Sequence, residues 1–212
     1  MIALISGPSG AGKSSVIEEF KSYRHHKLNI NKSVSLTTRT MRDGETNGKD
    51  YFFVSQAEFE DLIRQGYFFE YVKYHNNYYG VPAENLTFDN NHITMFDVLC
   101  ESGKKFITAF PQDVKEGRLQ SFYINAPSRE ILNERRGHRG DDRVKQDIEQ
   151  SSIALSFYNW YLINHNVANT ADNMYNIMRR FLDKSSQHDI VDLRMFSMQA
   201  PENIDHLESV LY

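Results

Sequence analysis

The sequence predicts an α/β fold built around a parallel β-sheet. Two observations support this prediction. The chain opens with an apolar run, MIALI at 1–5, followed by a glycine-rich loop and a helix with Val16, Ile17 and Phe20 on one face. Further apolar runs typical of core strands follow later in the chain, at 93–97, 121–124 and 160–164.

The loop at 7–14 reads GPSGAGKS and matches G-x-x-x-x-G-K-[ST], the phosphate-binding P-loop. Its glycines let backbone N–H groups turn towards a chain of phosphates, and the following helix directs its N-terminus at the anion. Lys13 is expected to reach the β/γ-phosphates and the Ser14 hydroxyl to bind Mg²⁺. The loop residues expected to hold the nucleotide are Gly7, Ser9, Gly10, Ala11, Gly12, Lys13, Ser14 and Ser15.

Composition limits the remaining possibilities. A chain of 212 residues corresponds to one domain or one domain with insertions. A net charge of −4 argues against a general nucleic-acid binder. Cys100 is the sole cysteine, which excludes an internal disulfide and a cysteine-based metal site and suits a reducing, cytoplasmic location. We expect no membrane span, no signal peptide, and no metal at the adjacent His25 and His26.

The segment 33–81 is predicted to be a small antiparallel sheet with one helix, inserted between two α/β units. Asn47-Gly48 indicates a hairpin turn, and Ser55 with Glu58 forms a capping box ahead of a helix that Gly66 ends. Strands are expected from 33, at 50–54, at 67–74 and at 78–81. Arg39 and Arg42 in this segment suit a phosphate clamp, although such a pair in isolation also fits a solvated surface.

Five motifs in this order and spacing resemble the guanylate kinase family. They are GPSGAGKS, SVSLTTR-x-x-R-x-GE, NGKDYFFVS-x-x-EF, the glutamate of FFEY, and NNYYGVP. The resemblance is strong over 1–82, diverges after about residue 97 and can be followed to about 183. It implies a three-layer P-loop NTPase fold with a parallel sheet, an inserted NMP-binding α+β subdomain and a helical lid. The implied core is 1–32 and 82–183, the subdomain 33–81, the lid about 135–147, and 184–212 an extension of unknown role.

The resemblance also implies an activity, the ATP-dependent phosphorylation of GMP or dGMP with Mg²⁺. In the family, the GMP phosphate contacts the residues that match Arg39, Arg42, Tyr51 and Tyr79. Guanine contacts those that match Ser35 and Glu70, and Glu45 is expected to support the arginines. A carboxylate accepts hydrogen bonds from guanine N1–H and its 2-amino group, whereas adenine presents an acceptor at N1, so this site would discriminate between them.

In the second half of the chain, Asp97 ends an apolar strand and is expected to join Ser14 at Mg²⁺. The resemblance places Asn164 near the ATP adenine and assigns Arg135, Arg139 and Arg143 to the lid. Together with Lys13 and Arg39, these arginines are the expected catalytic residues. Two positions depart from the family pattern, because Leu99 replaces an aspartate and Asp147 an arginine.

The remaining elements and two other functions complete the expectations. Residues 111–120 are predicted to be a local insertion, Ser128 to cap a helix, and 173–182 to form a closing helix. One alternative is a same-fold kinase with another nucleoside monophosphate acceptor, motivated by Leu99. The other is a non-catalytic guanylate-kinase-like interaction module, against which the intact Lys13 argues. The expected partners are the nucleotides alone, without nucleic acid or membrane, and the chain is expected to be a monomer or homodimer.

Overall fold

The computed structural model describes residues 1–23, 29–88, 92–136 and 142–182. Its strands are β1 Ile2–Ser6, β2 Asn29–Lys32, β3 Leu36–Thr37, β4 Phe52–Phe53, β5 Phe68–Tyr74, β6 Asn77–Pro82, β7 His92–Asp97, β8 Leu119–Asn125 and β9 Trp160–Ile163. Its helices are α1 Lys13–Tyr23, α2 Gln56–Arg64, α3 Cys100–Ala109, α4 Pro111–Lys115, α5 Arg129–Arg136, α6 Asp142–Phe157 and α7 Val167–Leu182.

The larger sheet has five strands in the order β2-β7-β1-β8-β9, all parallel. Its central strand β1 alternates between two buried clusters. Ala3 and Ile5 pack on the side of α1 and α7, whereas Ile2 and Leu4 pack on the side of α3. Both faces of the sheet are therefore covered by helices, and the predicted three-layer α/β fold is confirmed.

Two sheet elements differ from the sequence expectation. β2 was not predicted, because its polar sequence NINK lacks a buried face; it forms an edge strand that pairs only with β7 among the described strands. The stretch expected as an insertion, 111–120, contains the short helix α4 and the start of β8. Pro111 suits the first turn of α4, because a backbone N–H at this position would have no acceptor within the helix.

The closing helix α7 begins at Val167, six residues before the expected start at 173. Asn166 supplies the N-terminal cap, since its Oδ1 accepts a hydrogen bond from Asn169 N at 3.1 Å. Ala171, Met174 and Met178 then pack against α1, which ends at Tyr23 as predicted. The cap signal lay at Asn166, upstream of the apolar periodicity that the prediction used.

The second sheet has the order β4-β3-β6-β5 and is mixed, so the prediction of an antiparallel sheet was wrong. β3 pairs in parallel with β4, while β3–β6 and β5–β6 are antiparallel. Gly48 does adopt the positive φ of a turn, at 78°, but β4, which follows this turn, runs in the same direction as β3. The strand expected from 33 is confined to Leu36–Thr37, because Ser33 N still bonds to Met95 O of the larger sheet.

The helix of this second unit forms as predicted. Ser55 and Glu58 make both hydrogen bonds of the capping box, and Gly66 has a φ of 69° just after the helix. Phe59 of α2 stacks between Phe68 and Tyr78, with ring centroids 4.4 and 5.2 Å away. This packing fixes α2 against β5 and β6.

Ser128 caps α5 as expected, with its hydroxyl oxygen 3.3 Å from Ile131 N. Among the described helices, none is long and apolar enough to cross a membrane. No group of three or more His, Cys, Asp or Glu side chains suited to a metal occurs within the described ranges. His25, His26, residues 137–141 of the expected lid at about 135–147, and the extension 184–212 lie outside the described residues.

Candidate functional site

One cavity of about 560 Å³ lies where the P-loop, the end of β7 and the second sheet face one another. It brings together most of the residues that the sequence singled out. Those that line it are Gly7, Ser9, Gly10, Gly12, Lys13, Ser14, Ser15, Ser35, Arg39, Arg42, Glu45, Tyr51, Glu70, Tyr79, Asp97 and Arg135. A cavity of this size suits small ligands, and its two ends carry different chemistry.

The P-loop end is built by the turn between β1 and α1. Ala11 N bonds to Pro8 O at 3.2 Å, which closes the turn, and α1 then begins at Lys13. Lys13 Nζ donates to Gly7 O at 2.8 Å and to Pro8 O at 3.2 Å, so its ammonium group lies over the loop. The loop therefore presents a helix N-terminus and one cation at the same place, an arrangement that favours phosphate.

Ala11, within the loop, and Asn164, which contacts it, do not line the cavity. Both are buried, and the Asn164 side-chain amide donates to Ala11 O at 2.8 Å. Its Oδ1 accepts from the Thr170 hydroxyl at 3.1 Å. The structure therefore places Asn164 as a support of the loop, whereas the expected contact with adenine stays a prediction.

Ser14 and Asp97 both face the cavity, from the first turn of α1 and from the end of β7. The register of β1 with β7 pairs Ile5 with Asp97, which brings the carboxylate to the strand end next to the loop. A hydroxyl and a carboxylate are oxygen donors of the kind that Mg²⁺ takes together with water and phosphate oxygens. These two side chains thus fit a magnesium ion.

Arg39 and Glu45 form a two-pronged ion pair at the opposite end of the cavity. Arg39 Nη1 donates to Glu45 Oε2 at 3.0 Å and Nη2 to Oε1 at 2.7 Å. Burial lowers the pKa of Arg39, but the hydrogen bonds and charge of Glu45 more than offset it and the pKa is raised. Burial alone would raise the pKa of Glu45. The hydrogen bonds from the Arg39 guanidinium and from the Arg42 backbone N–H outweigh this effect, so the pKa of Glu45 is lowered. Both groups are therefore charged at neutral pH.

Tyr51 and Tyr79 complete this cationic end. Their ring centroids lie 6.0 Å apart, and the Arg39 guanidinium carbon lies 5.6 Å from the Tyr51 ring centre. Burial raises the pKa of Tyr51 far above its usual value, so its hydroxyl stays protonated and can donate. Glu45 also accepts from the Arg42 backbone N–H at 2.7 Å, which holds the turn that carries Arg42. Two arginines and two phenols here can surround a phosphate.

Glu70 lies on β5 in the wall of the cavity, with 2% of its side chain exposed. Its Oε2 accepts from Lys105 Nζ at 3.3 Å, while Oε1 is buried without a hydrogen-bond partner among the described residues. Burial raises the pKa of this carboxyl, and bonds to Ser102 and Lys105 oppose the rise. A buried acceptor oxygen without a partner is a position for a donor supplied by a ligand.

Arg135 lies in the last turn of α5, beside the loop. Its Nη1 lies 4.0 Å from the point that a Cβ on Gly12 would occupy, and its side chain is exposed. Arg139 lies outside the described residues, and Arg143 and Asp147 belong to α6, whose first half is described only as backbone. Of the three arginines expected in the lid, Arg135 thus lies at the P-loop end of the cavity.

Sequence reasoning missed Lys105, which meets Glu70 from α3, and Gln150, which lines the cavity from α6. Gln150 Oε1 accepts from Cys100 N at 2.8 Å at the start of α3. Neither residue belongs to a motif, and Lys105 is 35 positions from Glu70 in the chain. Only the packing of α3 against β5 brings that pair together.

Comparisons with known proteins agree with this geometry. The family model "Guanylate kinase" matches residues 2–185. The chain is 35% identical to guanylate kinase of Anaplasma phagocytophilum (strain HZ) over 187 residues, which cover 84% of this chain and 86% of that protein. It is 36% identical to guanylate kinase of Streptococcus thermophilus (strain CNRZ 1066) over 186 residues, covering 84% and 85%. The crystal structure of guanylate kinase from Anaplasma phagocytophilum superposes with a TM-score of 0.69 at 31% identity and covers 88% of each chain.

Proposed function

Because this chain belongs to the guanylate kinase family, we propose that it transfers the γ-phosphoryl group of ATP to GMP or dGMP and releases the two diphosphates. The observation that carries the proposal is the shared cavity, with the P-loop at one end and the Arg39, Tyr51, Tyr79 and Glu70 side chains facing the same space. A donor site and an acceptor site within one cavity suit direct transfer between two bound nucleotides.

The donor is bound by the loop amides from Gly7 to Ser15 and by Lys13. On binding, the Lys13 ammonium exchanges the carbonyls of Gly7 and Pro8 for phosphate oxygens. Ser14 and Asp97 would hold Mg²⁺, and the ion would supply positive charge to neutralise the donor phosphates. Asn164 supports the loop beneath the nucleotide through Ala11.

The acceptor phosphate is held by Arg39, Arg42, Tyr51 and Tyr79. Glu45 keeps the Arg39 guanidinium in one orientation through two hydrogen bonds. A positioned phosphate oxygen of the acceptor then attacks the γ-phosphorus in line, and the bond to the β-phosphate oxygen of ATP breaks. The protein contributes position and positive charge to this step, with Arg135, Arg139 and Arg143 as the lid cations.

Guanine specificity rests on Glu70, with Ser35 as a second contact. The free Oε1 accepts from a guanine N–H, which compensates for the burial of the carboxylate. Adenine presents an acceptor at N1 and would leave that oxygen unpaired. Leu99 lines the same cavity and offers no second carboxylate, which favours the alternative of a shifted acceptor.

A panel of acceptors tests the proposal. Purified protein with ATP and Mg²⁺ is assayed for ADP release with GMP, dGMP, AMP, UMP and CMP. We expect GMP or dGMP to be turned over fastest, and faster turnover of a non-guanine acceptor would favour the alternative kinase. Absence of ATP binding by calorimetry with Mg²⁺ present would favour a non-catalytic interaction module.

Lys13→Ala provides the matched test of the donor site. It is expected to abolish turnover while GMP binding survives, because Lys13 lies at the loop and not at the acceptor residues. Lys21→Ala, a change at a partly exposed lysine in the last turn of the same helix, serves as the control and should leave turnover unchanged. Equal loss of both binding and turnover in Lys13→Ala would contradict the assignment. The cytoplasmic location and the monomeric or dimeric state stay predictions.

A further inference from the structure

Lys105 contacts Glu70 from outside the cavity. It projects from α3, its Nζ lies 3.3 Å from Glu70 Oε2, and it donates to Tyr71 O at 2.8 Å. Its side chain is half exposed and does not line the cavity, whereas that of Glu70 is buried and does. Any influence of Lys105 on a bound ligand must therefore pass through Glu70.

The two contacts of Lys105 define the orientation of the carboxylate. The Tyr71 carbonyl fixes the ammonium group against β5, and the ammonium group then selects Oε2 of the neighbouring Glu70. Within the part of the chain that the structure describes, Oε1 is the oxygen left buried and without a hydrogen-bond partner. The terminal torsion of a glutamate, χ3, has no sharp energy minimum. Without Lys105, the carboxylate could therefore rotate about χ3, and neither oxygen would be held in place.

Lys105 also compensates the charge of Glu70. Burial favours the neutral acid, and Glu101 on α3 adds repulsion, while Lys105 and the Ser102 hydroxyl favour the carboxylate. Val81 lies opposite Glu70 in the β5–β6 register and offers no charge. The charged groups that line the same cavity include Lys13, Lys32, Arg39, Arg42 and Asp97. None of them is a leading cause of the shift in the Glu70 pKa. Among the described residues, Lys105 is the cation that acts on this carboxylate.

We propose that Lys105 is a positioning residue for purine recognition, which holds Glu70 Oε2 so that Oε1 stays ionised and presented to the N–H groups of the acceptor base. The inference rests on the proposed function, because the acceptor it serves is a guanine nucleotide. Lys105 itself touches neither substrate.

The test compares Lys105→Met with Lys104→Met. Both changes remove one lysine charge from α3, but Lys104 lies over the Phe157 ring, away from Glu70. Calorimetry with GMP is expected to show about a tenfold loss of affinity for Lys105→Met, the size expected for one hydrogen bond to a charged group. We expect no such loss for Lys104→Met, an ATP affinity unchanged in both variants, and a rise in KM for GMP that exceeds any fall in kcat.

Four further readouts separate positioning from a general structural role. Lys105→Met should add little to the loss caused by Glu70→Gln, because it acts through that carboxylate. Lys105→Met should weaken the binding of IMP less than the binding of GMP, since IMP lacks the 2-amino donor. The rise in KM for GMP on acidification should begin at higher pH, because Glu70 then protonates more readily, and Lys105→Arg should restore most of the affinity.

The possible outcomes are distinguishable. Unchanged GMP affinity in Lys105→Met, or an undiminished effect in the Glu70→Gln background, would overturn the positioning role alone. Wild-type protein that binds GMP without phosphorylating it would overturn the proposed function. In that case the GMP affinities of the variants would still decide whether Lys105 positions Glu70. Wild-type protein that binds no GMP would overturn both.

Discussion

The side chain of Asn164 donates a hydrogen bond to the backbone carbonyl of Ala11 at 2.8 Å, joining positions 153 residues apart. Asn164 follows β9, and Ala11 lies inside the P-loop. A Cβ on Gly12, where φ is 89°, would lie 2.4 Å from Asn164 Nδ2, so the loop rests directly on this amide. The end of β9 therefore fixes the position of the P-loop backbone, to which the proposed function assigns the donor phosphates.

Asn164→Ala is expected to weaken ATP binding without weakening GMP binding. The change leaves the buried Ala11 carbonyl without its donor, at a cost of about 1–3 kcal/mol in unfolding free energy. The loop also loses its support, so KM for ATP should rise more than KM for GMP. Thermal unfolding and steady-state kinetics measure the two effects.

Asn159→Ala is the control for that change. Asn159 lies at the other end of β9 and exchanges hydrogen bonds with Ser121 at 2.9–3.1 Å. It should lower stability but leave KM for ATP unchanged. If the two variants weaken ATP binding equally, the weakening results from a general loosening of β9 and not from the loss of the contact between Asn164 and the loop.

Much of the fold was predictable because local signals agreed with the tertiary arrangement. The P-loop lies between a buried strand and a helix, and the capping box at Ser55 begins α2, both as the sequence indicates. β2 and the direction of β4 were not predictable in this way. Asn29–Lys32 becomes a strand only because β7 offers an unpaired edge, and Phe52 pairs with Leu36 through contacts distant in sequence.

Glu45→Gln is expected to weaken acceptor binding. A neutral amide cannot accept two charge-assisted hydrogen bonds from Arg39, so the guanidinium loses its fixed orientation. KM for GMP should rise about tenfold, with KM for ATP unchanged. Asp61→Asn, which breaks the exposed pair with Arg64 on α2, is the control and should change neither constant.

The effect of Glu45→Gln on thermal stability should depend on pH. The pKa of Glu45 is lowered in the folded protein, so its stabilising contribution is present above the ordinary glutamate range and is lost as pH falls through the folded-state pKa. The difference in Tm between wild type and Glu45→Gln should therefore be largest near neutral pH and vanish in strong acid. A constant difference across this range would show that the charge of Glu45 is not responsible.

Glu70→Gln should stabilise the protein without nucleotide while it weakens GMP binding. The pKa of Glu70 is raised by burial, so the ionised carboxylate opposes folding above the folded-state pKa, and Oε1 lacks a partner. Glutamine removes the buried charge, and each kcal/mol gained would raise Tm by about 2–4 °C. The gain should shrink as pH falls and the wild-type carboxyl takes up a proton. An unchanged or lower Tm at pH 7.5 would show that Lys105 and Ser102 already compensate the charge fully.

The candidate site was less predictable from sequence than the fold. The motifs identified most of the residues that line the cavity, because each lies in a stretch with its own local pattern. They did not identify the residues that hold those side chains in place. Lys105 and Asn164 reach their partners across the fold, and no periodicity marks them; Asn164 was named from the family pattern, but for the adenine and not for the loop.

Gly103→Ala should loosen the contact between α3 and the segment after α6. A Cβ at position 103 would lie 1.8 Å from the hydroxyl oxygen of Tyr158, a side chain that occupies the gap left by this glycine. That hydroxyl lies 2.5 Å from Ser6 Oγ, and Ser6 Oγ donates to Val98 O at 2.7 Å. Displacing Tyr158 would therefore disturb the residue before the P-loop and the residue after Asp97. We expect a loss of about 1–3 kcal/mol in unfolding free energy, with weaker ATP binding.

Tyr158→Phe separates the two contributions to that loss. It keeps the ring and removes only the hydroxyl, so it should cost about 0.5–1.5 kcal/mol and shift ATP affinity in the same direction. Thr108→Ala, an exposed change on α3 whose hydroxyl bonds within the helix, should alter neither quantity. If Gly103→Ala lowers stability while Tyr158→Phe leaves ATP affinity unchanged, the hydroxyl does not transmit the packing of α3 to the loop, and steric crowding alone explains the loss.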